Sequence, residues 1–216
     1  MQLNLNKYWK QTLLIVVTVG VSAYSTEAET IEFKAKAGAC KAVVTGDSSI
    51  HAWTMESGII GGSMVVDQNF PQSALTNAAC AKPETIAYVP IRSLTSGKET
   101  MDQKMQLTMS ATNYPRVEYK LIELQPVSKP GDAGPLKFNA IGLLTIVGKT
   151  ITNTMPVTIE KKDGNLRVVG STPVKLTQFQ IAPPIISLPL LPDIKVYDDH
   201  KVDIDWTLTP RPPKKP

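Results

Sequence analysis

Histidine and cysteine, the side chains most often recruited for catalysis or metal binding, each occur only twice in 216 residues. No G-x-S-x-G, H-E-x-x-H or C-x-x-C spacing is present, so the signatures of nucleophilic and zinc catalysis are missing. Gly58-Ile59-Ile60-Gly61-Gly62 lacks the lysine and hydroxyl residue of a phosphate loop. Asp198-Asp199-His200 reads as a solvated turn, because adjacent residues in a turn rarely converge on one ion. Neither a metal nor a cofactor is therefore expected, and the chain does not read as an enzyme. Charged residues make up 19% of the chain, below the usual quarter, while 42% of residues are hydrophobic, which excludes a disordered polymer. No apolar run reaches the ~20 residues of a membrane-spanning helix.

The longest apolar run, Leu13–Val21, follows Lys7 and Lys10 and precedes small residues. That order is the charged, apolar and cleavage regions of a secretory signal over residues 1–28. Val21-Ser22-Ala23, Ala23-Tyr24-Ser25 and Thr26-Glu27-Ala28 are all cleavage triplets, with cleavage expected after Ala28. The mature chain is accordingly expected in the periplasm or outside the cell.

Cleavage also changes the meaning of the +4 formal charge. With Lys7, Lys10 and Glu27 gone, 21 basic residues face 18 acidic ones, and Arg211, Lys214 and Lys215 account for the excess. The body from residue 29 to 209 is neutral, and residues 210–216 form a proline-rich basic tail, either a solvated polyproline-like end or a docking motif. No basic stripe with interleaved aromatics remains, so nucleic acid is not an expected partner. In an exported chain, the even cysteine count favours a Cys40–Cys80 disulfide over two free thiols.

From residue 40 onward the hydrophobic pattern is mostly period two. Lys201–Leu208 has every even position apolar and every odd position polar, as a strand with one buried face requires. Arg116–Leu121 alternates in the same way. Leu136–Val147 and Thr150–Glu160 read as two long strands around a Gly148-Lys149 turn, and Lys162-Asp163-Gly164-Asn165 turns into a strand from Leu166. Pro130–Gly134 is a further turn, and Lys41–Gly46, Ile50–Met55, Gly58–Asp67 and Thr85–Ile91 add strands. Short connections between successive strands predict an antiparallel meander in an all-β barrel or sandwich.

Two segments break the alternation. Ser96-Gly97-Lys98-Glu99 has the spacing of a capping box and opens onto Met101, Met105 and Met109, one face of a helix. Such methionines either pack as ordinary core or line a cavity for a flexible apolar guest. Residues 181–192 carry four prolines in a strongly apolar context, which forbids a regular helix or central strand. The segment is either a loop packed on the body or an exposed lip for a lipid, a membrane or a protein.

Gly46–Met55, Val89–Lys98 running into Met101-Asp102, Asn113-Tyr114-Pro115, Gly142–Thr150, and Phe179-Gln180-Ile181 with Pro183-Pro184 occur in that order. Over roughly residues 40–209 this arrangement resembles the YceI-like lipid- and polyisoprenoid-binding domain. The chain differs from many members in carrying Val147 where they have a histidine, Gly61-Gly62-Ser63-Met64 in place of a glycine-phenylalanine pair, and Lys104-Met105 near their histidine-leucine pair. The resemblance implies an extended lipocalin-like antiparallel barrel of about eight strands, with one short helix near its mouth and an apolar pocket for an isoprenoid or quinone tail. Residues expected to line that pocket are Trp53, Met55, Met101, Met105, Met109, Tyr119, Phe138, Phe179, Ile181 and Trp206. His51 is either a satisfied structural histidine or the contact to a polar head group. An interaction module on the same scaffold, without a bound lipid, is the alternative. Oligomeric state has no signal in the sequence.

Overall fold

A computed structural model of the chain describes residues 29–187, 190 and 192–211. The expected signal, three positions of the proline-rich segment and the tail from Pro212 lie outside the described residues. In chain order the strands are β1 (Thr30–Ala35), β2 (Lys41–Ser48), β3 (Trp53–Ser57), β4 (Gly61–Asp67), β5 (Glu84–Pro90), β6 (Arg116–Pro126), β7 (Leu136–Ile146), β8 (Lys149–Lys162), β9 (Asn165–Lys175), β10 (Ile185–Ile186) and β11 (Ile194–Pro210). One α-helix, α1 (Glu99–Thr108), lies between β5 and β6.

Every pairing is antiparallel, and the sheet closes because β1 pairs with both β4 and β11. The ring β1-β4-β5-β6-β7-β8-β9-β11 is an eight-stranded barrel. β1 escapes a reading that starts at residue 40, yet its Ile31, Phe33 and Ala35 alternate like the rest, and the register Phe33↔Met64 and Ala35↔Leu208 completes the wall. β11 is long enough to serve two partners on one edge. Leu208–Pro210 pair with β1, and the stretch from Val196 to Asp205 pairs with β2. The β2–β3 hairpin thereby raises the wall on one side, and reciprocal backbone bonds between Glu56 and Thr95 (both 2.9 Å) fasten its free edge to the segment before α1.

The β7–β8 turn falls one residue earlier than expected. Ile146 pairs with Lys149, leaving Val147 and Gly148 as the central residues with φ of 47° and 72°. A two-residue hairpin needs positive φ at both central positions to match strand twist, and the ladder register imposes this even on a β-branched valine. The β8–β9 turn lies where expected, at Asp163-Gly164, with φ of 50° and 75°. A bulge between Leu121 and Glu123 in β6 shifts the alternation so that both Leu121 and Leu124 are buried.

Helix α1 also begins differently from expectation. Its N-cap is Lys98, without a side-chain cap, and no Ser96–Glu99 box forms. Instead the Asp102 carboxylate accepts hydrogen bonds from the Ser96 backbone N–H and hydroxyl, both at 2.7 Å, tying the helix to the preceding loop. The Cys40–Cys80 disulfide is absent as well, and both thiols are free. Each has local partners: Cys40 Sγ lies 3.4 Å from the Lys36 carbonyl and 3.5 Å from that of Thr207. Burial raises the pKa of the Cys80 thiol, and the neighbouring Asp67 carboxylate raises it further. An even count and an export signal speak to redox conditions, not to the close approach that a bridge requires.

Fully buried Phe33, Leu136, Phe138, Ile159, Leu166 and Leu208 pack together at one end of the barrel, where β7 and β9 begin and β8 and β11 finish. Burying each such side chain contributes about 1.5–3 kcal/mol, so this end is sealed and carries much of the stability. Toward the other end the walls stand apart.

Candidate functional site

The space between the walls is a cavity of about 690 Å³, within the ~300–1,000 Å³ range of small-molecule sites. It is built by the inward positions of the alternating strands. On β11 these are Ile194, Val196, His200, Val202, Ile204 and Trp206, every second residue apart from a register shift between Val196 and His200. The same rule brings in Met155 and Val157 on β8, Val168 and Val174 on β9, and Val117 and Tyr119 on β6. Trp206, 3% exposed, stands at the deep end beside the sealed core.

The mouth is covered by α1. None of its residues is buried, yet Met101 and Met105, together with Met109 at its C-cap, present one face to the cavity. Arg92 supports the helix from below through bonds to Gln106 (3.1 Å) and Thr112 (3.4 Å). The proline-rich segment combines both expected behaviours: Pro184 and Ile186 line the cavity, whereas Ile185 and Leu190 are exposed. Ile50, which itself lines the cavity, adds further exposed apolar surface at the opening.

Of the residues expected to line a pocket, Trp53, Met55, Met101, Met105, Met109, Tyr119 and Trp206 are brought together around the cavity. Phe138, Phe179 and Ile181 are not among its lining. Phe138, 1% exposed, belongs to the sealed end, because its inward position falls where the walls already meet. Phe179 and Ile181 pack behind the mouth against Leu144, Ile146 and Val174. His51 precedes β3, is exposed at the rim, and its Nδ1 lies 2.7 Å from the Ala52 carbonyl.

The largest departure concerns His200. It lies within β11, is only 7% exposed and lines the cavity, so it is not part of a solvated turn. The signal was available, because the even-numbered inward face of Val202, Ile204, Trp206 and Leu208 extends back to it. Its ring packs on Trp53, with centroids 5.3 Å apart, and both cross Gly46 of β2. A Cβ on Gly46 would stand 2.3 Å from Trp53 Cζ2 and 2.9 Å from His200 Cδ2, so glycine is required for this close approach.

Polar groups in the wall are sparse. Tyr119 donates its hydroxyl to the Ala140 carbonyl at 3.1 Å, and burial pushes its pKa up to about 12. Asn153 donates through Nδ2 to Thr172 Oγ1 at 3.2 Å, while its Oδ1 is buried without a partner among the described residues. The indole N–H groups of Trp53 and Trp206 are likewise buried and unpaired. Among the described residues no group of three His, Cys, Asp or Glu side chains is placed to hold a metal. The arrangement suits a largely apolar guest with few polar atoms.

Comparisons with known proteins agree with this architecture. The model of a family described as the YceI-like domain matches residues 24–208. BcnA of Burkholderia cenocepacia superimposes with a TM-score of 0.62 at 16% identity, covering 80% of this chain and 98% of that one. A polyisoprenoid binding domain from Saccharophagus degradans, implicated in plant cell wall breakdown, gives 0.59 at 9% identity over 84% and 99% of the two chains. A YceI protein of Campylobacter jejuni gives 0.51 at 15% identity over 71% and 82%. No match is found among curated protein sequences.

Proposed function

The chain belongs to the YceI-like domain family, and on that premise we propose that it is an exported, non-catalytic protein that holds an isoprenoid or quinone-type apolar molecule inside its barrel for carriage or sequestration. The observation that carries this reading is the cavity of about 690 Å³, lined and not filled by its inward side chains. Each methylene moved from water into such a space contributes about 0.8 kcal/mol, so a long tail is held tightly with few directional contacts. The structural likeness to a domain described as polyisoprenoid binding supports the same ligand class.

Ligand exchange requires a route between the cavity and a lipid phase. Ile50 and Ile185, from the β2–β3 connection and the proline-rich segment, are exposed beside residues that line the cavity. In this reading they rest on a membrane while the tail passes beneath α1. The methionine face of the helix adapts to a flexible chain because its side chains are unbranched and polarizable.

The test is organic extraction of the natively exported protein followed by mass spectrometry. A recurring isoprenoid in stoichiometric amount is expected, and repeated lipid-free preparations with no uptake from loaded vesicles would remove the reading. Intact mass of the same preparation checks export, with Glu29 expected as the first residue.

A further inference from the structure

We propose that His200, held against Trp53 over Gly46, forms a hydroxyl-recognising subsite within the cavity wall, so that the preferred guest is an isoprenoid alcohol or phenol. This rests on the carriage reading above and specifies its ligand.

The argument begins with the imidazole tautomer. His200 Nδ1 lies 2.8 Å from the Asp198 backbone carbonyl, which can only accept, so Nδ1 carries the proton. In the neutral imidazole Nε2 then keeps its lone pair, on a side chain that lines the cavity and is 7% exposed. A lone pair held in apolar surroundings is costly unless a donor reaches it. The Trp53 ring packs beside it with its indole nitrogen fully buried, so the acceptor open to a guest is Nε2. An acceptor in an apolar wall is the complement of a hydroxyl, which donates to Nε2. A quinone carbonyl and a hydrocarbon have no proton to give it.

The register places a second polar pair next to the first. Thr172 of β9 is opposite Val202, the inward position after His200 on β11, and Thr172 binds Asn153 of β8. The two pairs occupy successive inward layers, with diagonal neighbours about 7–8 Å apart. Whichever way the Asn153 amide is turned, one of its polar atoms stays unpaired. His200 and the Asn153–Thr172 pair thus lie on neighbouring layers of one side of the wall, with the unpaired Trp206 indole deeper on β11.

The experiment compares farnesol with its O-methyl ether by calorimetry on the delipidated, purified mature protein. The ether keeps the chain and the acceptor oxygen but loses the donor. We expect the alcohol to bind about tenfold more tightly than the ether, a preference that His200→Phe abolishes. Independently of any variant, the His200 ring nitrogen resonance shifts on adding the alcohol and not on adding the ether, which decides the matter should His200→Phe fail to fold. Equal binding of both probes leaves carriage intact and overturns the subsite. A preference that survives His200→Phe, or that is erased by His51→Ala instead, overturns it as well. Failure of both probes to bind removes the carriage reading, and the subsite with it.

Discussion

The two ends of this barrel share the same strands and the same alternation of apolar and polar residues, yet one is a packed core and the other a cavity. At the sealed end Phe33, Leu136, Phe138, Ile159, Leu166 and Leu208 meet across the barrel axis and exclude solvent. At the open end Val174, His200 and Trp53 face a space capped by a helix none of whose residues is buried. Alternation makes a face apolar, but closure is decided by what fills the middle. β1 closes the ring at the sealed end, while the β2–β3 hairpin extends one wall without meeting β5 along its length. Under the proposed function the difference separates stability from binding: large packing energies gather at the sealed end, and small ones around the cavity.

Substitutions can break that division in order of size. Phe33→Ala at the sealed end is expected to cost about 3–5 kcal/mol in urea unfolding, the range for large-to-small changes in a close-packed core. Ligand loading should act through the open end alone. Adding a bound lipid at a hundred times its Kd raises stability by about 2.7 kcal/mol, read as a higher Tm that disappears on delipidation. Equal Tm for loaded and stripped protein would show that the cavity is not the binding site. Relief of the Val147 turn comes next: Val147→Asn, which accepts positive φ, should stabilise by about 1 kcal/mol less any packing lost against Leu144 and Ile146. Met105→Ala should change stability by less than about 0.5 kcal/mol, because it lies on a half-exposed helix face, while measurably weakening lipid retention. A loss comparable to Phe33→Ala would erase the contrast between the ends.

Tyr119 supplies the mildest test. Its folded pKa of about 12 lies above its ordinary value of 10.0 because burial disfavours the phenolate. The unfolded chain therefore loses this proton first. The stabilising contribution is whole below pH 10 and falls as pH rises through 10 toward 12. Tyr119→Phe should flatten that part of the alkaline stability profile, and an unchanged slope would place the ring in contact with water.

Much of this was legible in the residues. Lys201–Leu208 announced a strand with one dry face, Asp163-Gly164 announced a hairpin, and Met101, Met105 and Met109 announced a helix with an apolar stripe. Other features depend on contacts distant in the chain. The Gly148-Lys149 turn was misplaced by one residue because the β7–β8 register, not local glycine preference, selects the turn positions. The cysteine pairing failed because Cys40 is held at the Thr207 carbonyl and Cys80 stands against Asp67. Phe138 and Trp206 carry equal sequence credentials, both aromatic and both inward. Only their height in the barrel makes one a core residue and the other a cavity wall.

By itself the sequence determined the all-β class, the antiparallel order and which face of each strand is apolar. Those properties follow from a two-residue side-chain period and from turn chemistry, both local. The tertiary structure alone decided that β1 closes the ring, that both thiols are free, and that His200 shares a wall with Trp53. It also decided that the open end encloses a cavity, because the distance between opposite walls depends on closure of the whole sheet and on no single strand.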